Sequence, residues 1–439
     1  MSIFLAVKQI TDVLYRFKIL DYFLVFLAFA MMSYAFFRNK SYKHFFSKIN
    51  IADIIAALLC VLYFFSFIRN PEAKGQFIKS ESAFFVYFFG RILGINFYNE
   101  ITSMKEEDGF KGKILPFVSY IIVYANLAFK LYIQISYIVT GRYMGSNPEF
   151  DIHSDGALYY YKTDMTLGII MAVIFIYAFS KKKILKWITI VPVGLFMVFY
   201  QTTARSGQAI LILEYMLIGY MELKKRDRIP SFAKKIKISV NCVGVVIMIA
   251  ITAFFVFIQV FPPMRMNLED IGVPEDIMSK IENIFHSRHL IWWDAISYYV
   301  GRPLSTRLIG IDMISENMHN PLGDRFHNLY FKLIYAVGYM GTYLFWGFVI
   351  CLMKTMKKNV PGDITETMER AEESDDKTLS VNKKTLAVIK YMTAAFWIMF
   401  MFIGISMEGM DYTQMTWYPF ILFGVLVTVT NKKHSDTKA

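Results

Sequence analysis

Eleven stretches of this chain are apolar over about the length of a membrane span. They lie at about 19–37, 51–68, 83–98, 115–139, 165–180, 185–201, 207–222, 238–261, 330–353, 386–406 and 415–431. A helix needs roughly 20 apolar residues to cross the hydrocarbon of a bilayer. The expected fold is therefore all-α: a polytopic membrane protein with about eleven transmembrane helices and one large external loop. The third and seventh runs are short, which leaves tilted, re-entrant or partly interfacial helices open for them. Composition excludes the other broad classes. Of 439 residues, 56% are hydrophobic and 19% charged, whereas soluble domains carry about a quarter charged residues. Disordered chains are poorer still in apolar residues.

The boundaries follow from the runs. Residues 1–18 hold Lys8, Asp12, Arg16 and Lys18 among Leu5, Val13, Leu14 and Phe17. That mixture is too polar for a signal peptide and suits an amphipathic helix on the membrane surface. A bundle of about eight spans fills 19–261, and a large extracytoplasmic loop fills 262–329. A second bundle of about three spans covers 330–431 and encloses a loop at 354–385. Residues 432–439 form a tail. The acidic stretch with Glu366, Glu369, Glu372, Glu373, Asp375 and Asp376 reads as a flexible part of the 354–385 loop. There is no internal repeat, which disfavours transporters built from two related halves. Cys60, Cys242 and Cys351 all lie in apolar runs, without metal-ligand or disulfide spacing.

The formal net charge of +12 raises the question of a nucleic-acid partner, and the placement of the charges answers it. Residues 38–50 carry Arg38, Lys40, Lys43 and Lys48; 181–186 carry Lys181, Lys182, Lys183 and Lys186; 224–237 carry seven basic residues. With eleven spans these connections, the 354–385 loop and the tail with Lys432 and Lys433 all fall on one side. The positive-inside rule makes that side the cytoplasm. The C-terminus is then inside, the N-terminus outside, and no nucleic acid is expected.

Chemistry is expected in the external loop 262–329. It holds Arg265, Arg288, Arg302, Arg307 and Arg325, and four of the seven histidines: His286, His289, His319 and His327. No topological rule gathers arginine on this side, so five of them point to an anionic ligand. The alternative is pairing with Glu269, Asp270, Asp294, Asp312 and Asp324 or with lipid phosphates. Arg288 and Trp292 are four apart and share a helix face, a platform for a phosphate beside a sugar ring. An interfacial Trp with a snorkelling Arg would give the same pattern.

Two further elements border the spans. Gln201-Thr-Thr-Ala-Arg205-Ser206-Gly207 is polar enough to offer a turn and a helix N-terminus to an anion, against the alternative of a lipid anchor. His327-Asn328-Leu-Tyr330 leads into a span containing Gly338 and Gly341, which permit close helix contact. His327 is the expected general base, against the alternative of a helix-start histidine. Glu408 and Asp411, beside Tyr412, Gln414 and Trp417, are candidates for sugar hydroxyls and substitutes for the base. A metal site at His286, His289 and His319 lacks a strong ligand pattern. Charges within spans (Arg91, Lys130, Glu214 and Lys390) could line an ion path.

The order of these parts resembles the O-antigen polymerase and O-antigen ligase family. The resemblance rests on the Arg205-Ser206 turn, Arg288-x-x-x-Trp292, the stretch from Pro303 to Gly310, and His327-Asn328-x-Tyr330 followed by Gly338 and Gly341. It covers roughly 200 to 345. Where the family often has a further glycine, this chain has Asp312 after Ile311. The resemblance implies a C-type glycosyltransferase that works outside the bacterial cytoplasmic membrane, with no metal and no cofactor. Its substrate would be an undecaprenyl-diphosphate-linked oligosaccharide. Arg205 and Arg288 would bind the diphosphate and His327 would be the loop histidine. Trp292, Ser206, Arg325, Asn328, Tyr330, Glu408 and Asp411 are the expected substrate contacts. Membrane lipid, a chain-length regulator and a flippase would be partners. A ligase acting on another acceptor, a transporter or flippase of lipid-linked sugars, and a scaffold remain the other readings.

Overall fold

The computed structural model describes residue 8 and residues 18–38, 49–105, 123–132, 135–136, 138–139, 162–180, 183–199, 205–225, 239–260, 274–275, 277, 288–311, 328–358, 377–405, 410 and 413–430. Among them there are helices and no strand. In chain order the helices are α1 (Lys18–Arg38), α2 (Ile51–Arg69), α3 (Lys74–Lys105), α4 (Lys162–Phe179), α5 (Lys183–Phe199), α6 (Arg205–Lys225), α7 (Val240–Val260), α8 (Arg288–Val300), α9 (Leu304–Ile309), α10 (Leu329–Lys357), α11 (Lys377–Ile403) and α12 (Thr413–Thr430). A further helical stretch covers 123–132. Apart from a few end residues such as Ser180, Ser239, Gly404 and Ile405, the described parts of the apolar runs are helical.

Four helices among the described residues are long and apolar enough to cross a membrane: α2, α7, α10 and Leu386–Ile403 of α11. Tyr22–Phe37, Thr166–Phe179 and Met415–Thr430 are shorter apolar helices. The outer surface agrees with a lipid solvent. On α7, Val245, Val246, Ile249, Val256, Phe257 and Val260 are each more than half exposed. A helix in water would turn such a face inward.

Local signals set the helix ends. Asn50 opens α2 with a capping box: its side chain accepts from the amides of Ala52 and Asp53, and Asp53 accepts from the Asn50 amide. The chain leaves α2 at Asn70, just before Pro71. Asn328 opens α10 by accepting from the amides of Tyr330 and Phe331.

The core is built around a parallel pair, α3 and α12, packed with little between their backbones. Trp417 donates to Ser82 at 2.8 Å, Gly90 lies against the Ile421 carbonyl and Gly94 against Val425 and Thr428, while Gly424 lies against the Tyr87 carbonyl. Small residues four apart, as at Gly90 and Gly94, let membrane helices approach this closely. A β-carbon at Gly424 would run into the Tyr87 carbonyl oxygen. Gly424→Ala should therefore cost about 1–3 kcal/mol through overpacking. Thermal unfolding in detergent checks this; an unchanged midpoint would mean the helices separate freely. Around the pair, Phe348 of α10 meets Tyr87 at 5.1 Å and Phe423 at 4.8 Å between ring centroids. Antiparallel to α10 runs α2, with Ile55 beside Gly347 and Leu62 beside Gly341.

The charges inside the helices are placed for structure where their partners are described. Arg91 and Asp53, both nearly fully buried, form an ion pair at 2.8 Å between α3 and α2. Lys390 donates to the Lys358 carbonyl at 2.6 Å.

Candidate functional site

At the end of the bundle where α2 stops and α10 begins, one helix is broken. Within α10, Gly338 takes φ 69° and ψ −165°, a conformation outside the helical region that L side chains rarely adopt. A break inside a buried helix frees backbone groups that must find new partners. The segment after α9 supplies one, since the Ile311 amide donates to the Tyr335 carbonyl at 2.7 Å. Thr342 donates its hydroxyl to the Gly338 carbonyl at 2.8 Å.

The approach is backbone on backbone. Gly310 has φ 87°, and a β-carbon there would strike the Ala336 carbonyl; one at Gly338 would strike the Gly310 amide and the Leu308 carbonyl. Arg69, the last residue of α2, donates to the Gly310 carbonyl and to that of Ile311. Three segments distant in sequence thus meet around two glycines. Gly310→Ala forces a rare backbone region, a cost of about 1–3 kcal/mol, on top of the clash. It should lower the unfolding midpoint and speed protease cleavage of loop 262–329; unchanged cleavage would mean the contact contributes nothing.

Around this junction the loop presents arginines among aromatic rings. Arg307 of α9 donates to Gln259 of α7, and Gln259 donates to the Tyr339 hydroxyl at 2.6 Å. Tyr299 of α8 donates to the Arg307 carbonyl, and burial pushes the Tyr299 phenol up, keeping it a donor. The Arg302 guanidinium lies 3.8 Å over the Tyr298 ring, a cation–π contact. Trp292 stacks on Phe331 of α10, with centroids 5.0 Å apart. Phe255, Ile258, Ile291, Ala295, Ile334 and Tyr335 form the apolar floor. Arg302 and Arg307 thus lie among aromatic side chains, and a guanidinium can take an anion's oxygens in pairs.

The expected site residues fall into three groups. Trp292, Asn328 and Tyr330 are described, and each already has structural partners. One face of Trp292 meets Phe331. Asn328 caps α10 and donates to the Ile405 carbonyl at 3.0 Å. Tyr330 stacks on Trp346 and donates to the Met401 carbonyl at 2.7 Å. Arg205 and Arg288 are the first described residues of α6 and α8; their side chains lie outside what is described. Ser206 sits half-buried in the first turn of α6. His327, Arg325, Glu408 and Asp411 lie outside the described residues.

Two readings change. Gly207, expected to open a turn, lies inside α6 where Thr166 of α4 packs against it. Gly338, expected as a helix-contact residue, is the break itself. Arg69 and Gln259 were missed as parts of this junction. Arg69 ends an apolar run on the same side as the loop, which is the signal that would have found it.

No family model, curated protein or solved structure matches the chain.

Proposed function

We propose that this protein is a membrane-embedded glycosyltransferase of about eleven spans that polymerises undecaprenyl-diphosphate-linked oligosaccharide units into a surface polysaccharide, such as O-antigen or capsule. The observation that carries this reading is the arginine-rich loop, whose α8–α9 part is seated on the break in α10 with Arg69 tied to Gly310 and Ile311. The loop is external by the positive-inside rule, and there a polyanion rather than topology accounts for its arginines. The polymerase reading takes its acceptor and donor classes from the resemblance to the O-antigen polymerase and ligase family.

In the proposed reaction an acceptor sugar hydroxyl attacks the anomeric carbon of the donor. The bond from that carbon to the lipid diphosphate breaks, and the diphosphate leaves with the electron pair. His327 takes the hydroxyl proton, with Glu408 or Asp411 as substitutes. Arg205 and Arg288 stabilise the charge that develops on the leaving group, which arginine does well because it stays protonated and binds oxygens in pairs. Cleavage of the lipid diphosphate drives the step, so no nucleotide is required.

Reconstitution of the full chain in vesicles with a purified lipid-diphosphate-linked oligosaccharide tests the proposal. Products of two or more repeats are expected, and full activity in the presence of a chelator. Relocation of the lipid-linked sugar across the bilayer without extension would make it a flippase. No product and no relocation would leave a ligase for another acceptor or a scaffold, and would overturn polymerisation.

A further inference from the structure

Glu214 stands midway along α6, fully buried, and neither of its carboxyl oxygens has a hydrogen-bond partner. This is unlike Asp53, another buried acid, whose oxygens accept from Arg91, Tyr87 and the Asn50 amide. The helices packed on α6 are α11, α4 and α5. They bring Tyr391 and Tyr177 to this region, and also Lys390 next to Tyr391 in sequence and Lys186 over the Tyr177 ring, neither of which donates to Glu214. Tyr391 of α11 is an electrostatic neighbour of Glu214, and its buried hydroxyl is also without a partner. Tyr177 of α4 packs on Tyr391 with centroids 4.7 Å apart. Tyr215, next to Glu214 in sequence, donates to the Ile190 carbonyl of α5. On the far side of α4, Lys130 packs along Gly168.

An isolated carboxylate in an apolar interior is far too costly to keep ionised. No described side chain donates a hydrogen bond to it, so the group needs a bound cation, and the smallest is a proton. A second acid of the same helix lies nearer the surface. The Tyr177 hydroxyl donates to Glu222 of α6 at 2.7 Å, and the Lys186 ammonium lies 4.8 Å over the Tyr177 ring. Glu222 is only half-buried, near the end of α6. Two turns of one helix thus separate an acid near the surface from one sealed inside, with two phenols between them.

We propose that Glu214 is a proton-binding site in the interior of the bundle, held as the neutral acid at neutral pH. Only O–H bonds change. A proton from water ends on a carboxylate oxygen of Glu214, leaving hydroxide in the water, and Glu214 becomes the neutral acid. Release runs the same steps in reverse. The site stands apart from the arginine junction and does not depend on the glycosyltransferase reading.

Infrared difference spectra of the full chain in vesicles at neutral pH, wild type minus Glu214→Gln, test the proposal. The expected result is a carboxylic-acid carbonyl band in the wild type alone, shifting on transfer into D2O. A carboxylate band in its place would overturn it. Glu214→Leu gives a second blank with no polar group. Because Gln matches the neutral acid in size and charge, its failure to insert also counts against the site.

Discussion

Replacing Arg91 with methionine is expected to destabilise the bundle by about 3–5 kcal/mol, the cost of leaving one partner of a buried ion pair alone. The pair is nearly sealed, with Arg91 5% and Asp53 4% exposed. Its geometry is bidentate: Nε to Oδ1 at 2.8 Å and Nη2 to Oδ2 at 3.0 Å. Every other edge is met. Arg91 Nη1 donates to Thr428 of α12 at 2.7 Å, Tyr87 donates to Asp53 at 2.7 Å, and the Asn50 amide donates to Asp53 at 3.0 Å. Removing the guanidinium strands the carboxylate among apolar side chains, where no water replaces the lost donors. The double variant Arg91→Met with Asp53→Leu removes both charges and should recover most of the loss, because desolvation of a buried pair offsets much of its attraction. Unfolding in detergent, read as a double-mutant cycle, checks both statements. A single-variant loss below about 1 kcal/mol would place the pair in the surface class instead. Retained transfer activity in the double variant would show that Arg91 fastens α2, α3 and α12 and lines no ion path.

That pair shows where the sequence was legible and where it was not. Helical class follows from the length of the apolar runs, and each run has a helix among its described residues. The ends of the runs were less informative. The run at 83–98 understates α3, which begins at Lys74 and ends at Lys105, because polar flanks extend a helix without adding hydrophobicity. Asp53 lies 38 positions from Arg91 in an otherwise apolar segment, and nothing local announces that the two meet. The same holds for Gly310 and Gly338. Each looks like an ordinary small residue, and their left-handed backbones exist only because two distant segments press together. Asn328, read as a substrate contact beside His327, shows the converse. Its position before an apolar run is what a helix cap requires, and the structure uses it so. Arg69 ends an apolar run, but a single basic residue at a helix end is ordinary, so that signal alone did not show its contacts with Gly310 and Ile311.

Alanine at Arg288 or at Arg205 should abolish chain extension while protein level and membrane insertion stay at wild-type values. In the proposed site each guanidinium would meet the diphosphate with paired N–H donors. Loss of one preorganised donor to developing charge typically costs about 10²–10³ in kcat. For a processive polymer that factor compounds over successive additions, so long product should vanish even where single transfers persist. Lysine at Arg288 should recover little, because a point charge cannot reproduce two parallel hydrogen bonds to phosphate oxygens. His327→Ala should lower single-turnover transfer by about 10²–10⁴, the usual contribution of a positioned base. It should also remove the dependence of the rate on pH that a titrating imidazole imposes. The readouts separate chemistry from scaffolding. Gly310→Ala loosens the junction and should shift the unfolding midpoint, whereas Arg288→Ala should leave the midpoint alone and stop extension. Long polymer in both arginine variants would sink the diphosphate-binding role. A pH profile unchanged by His327→Ala would pass the role of base to Glu408 or Asp411.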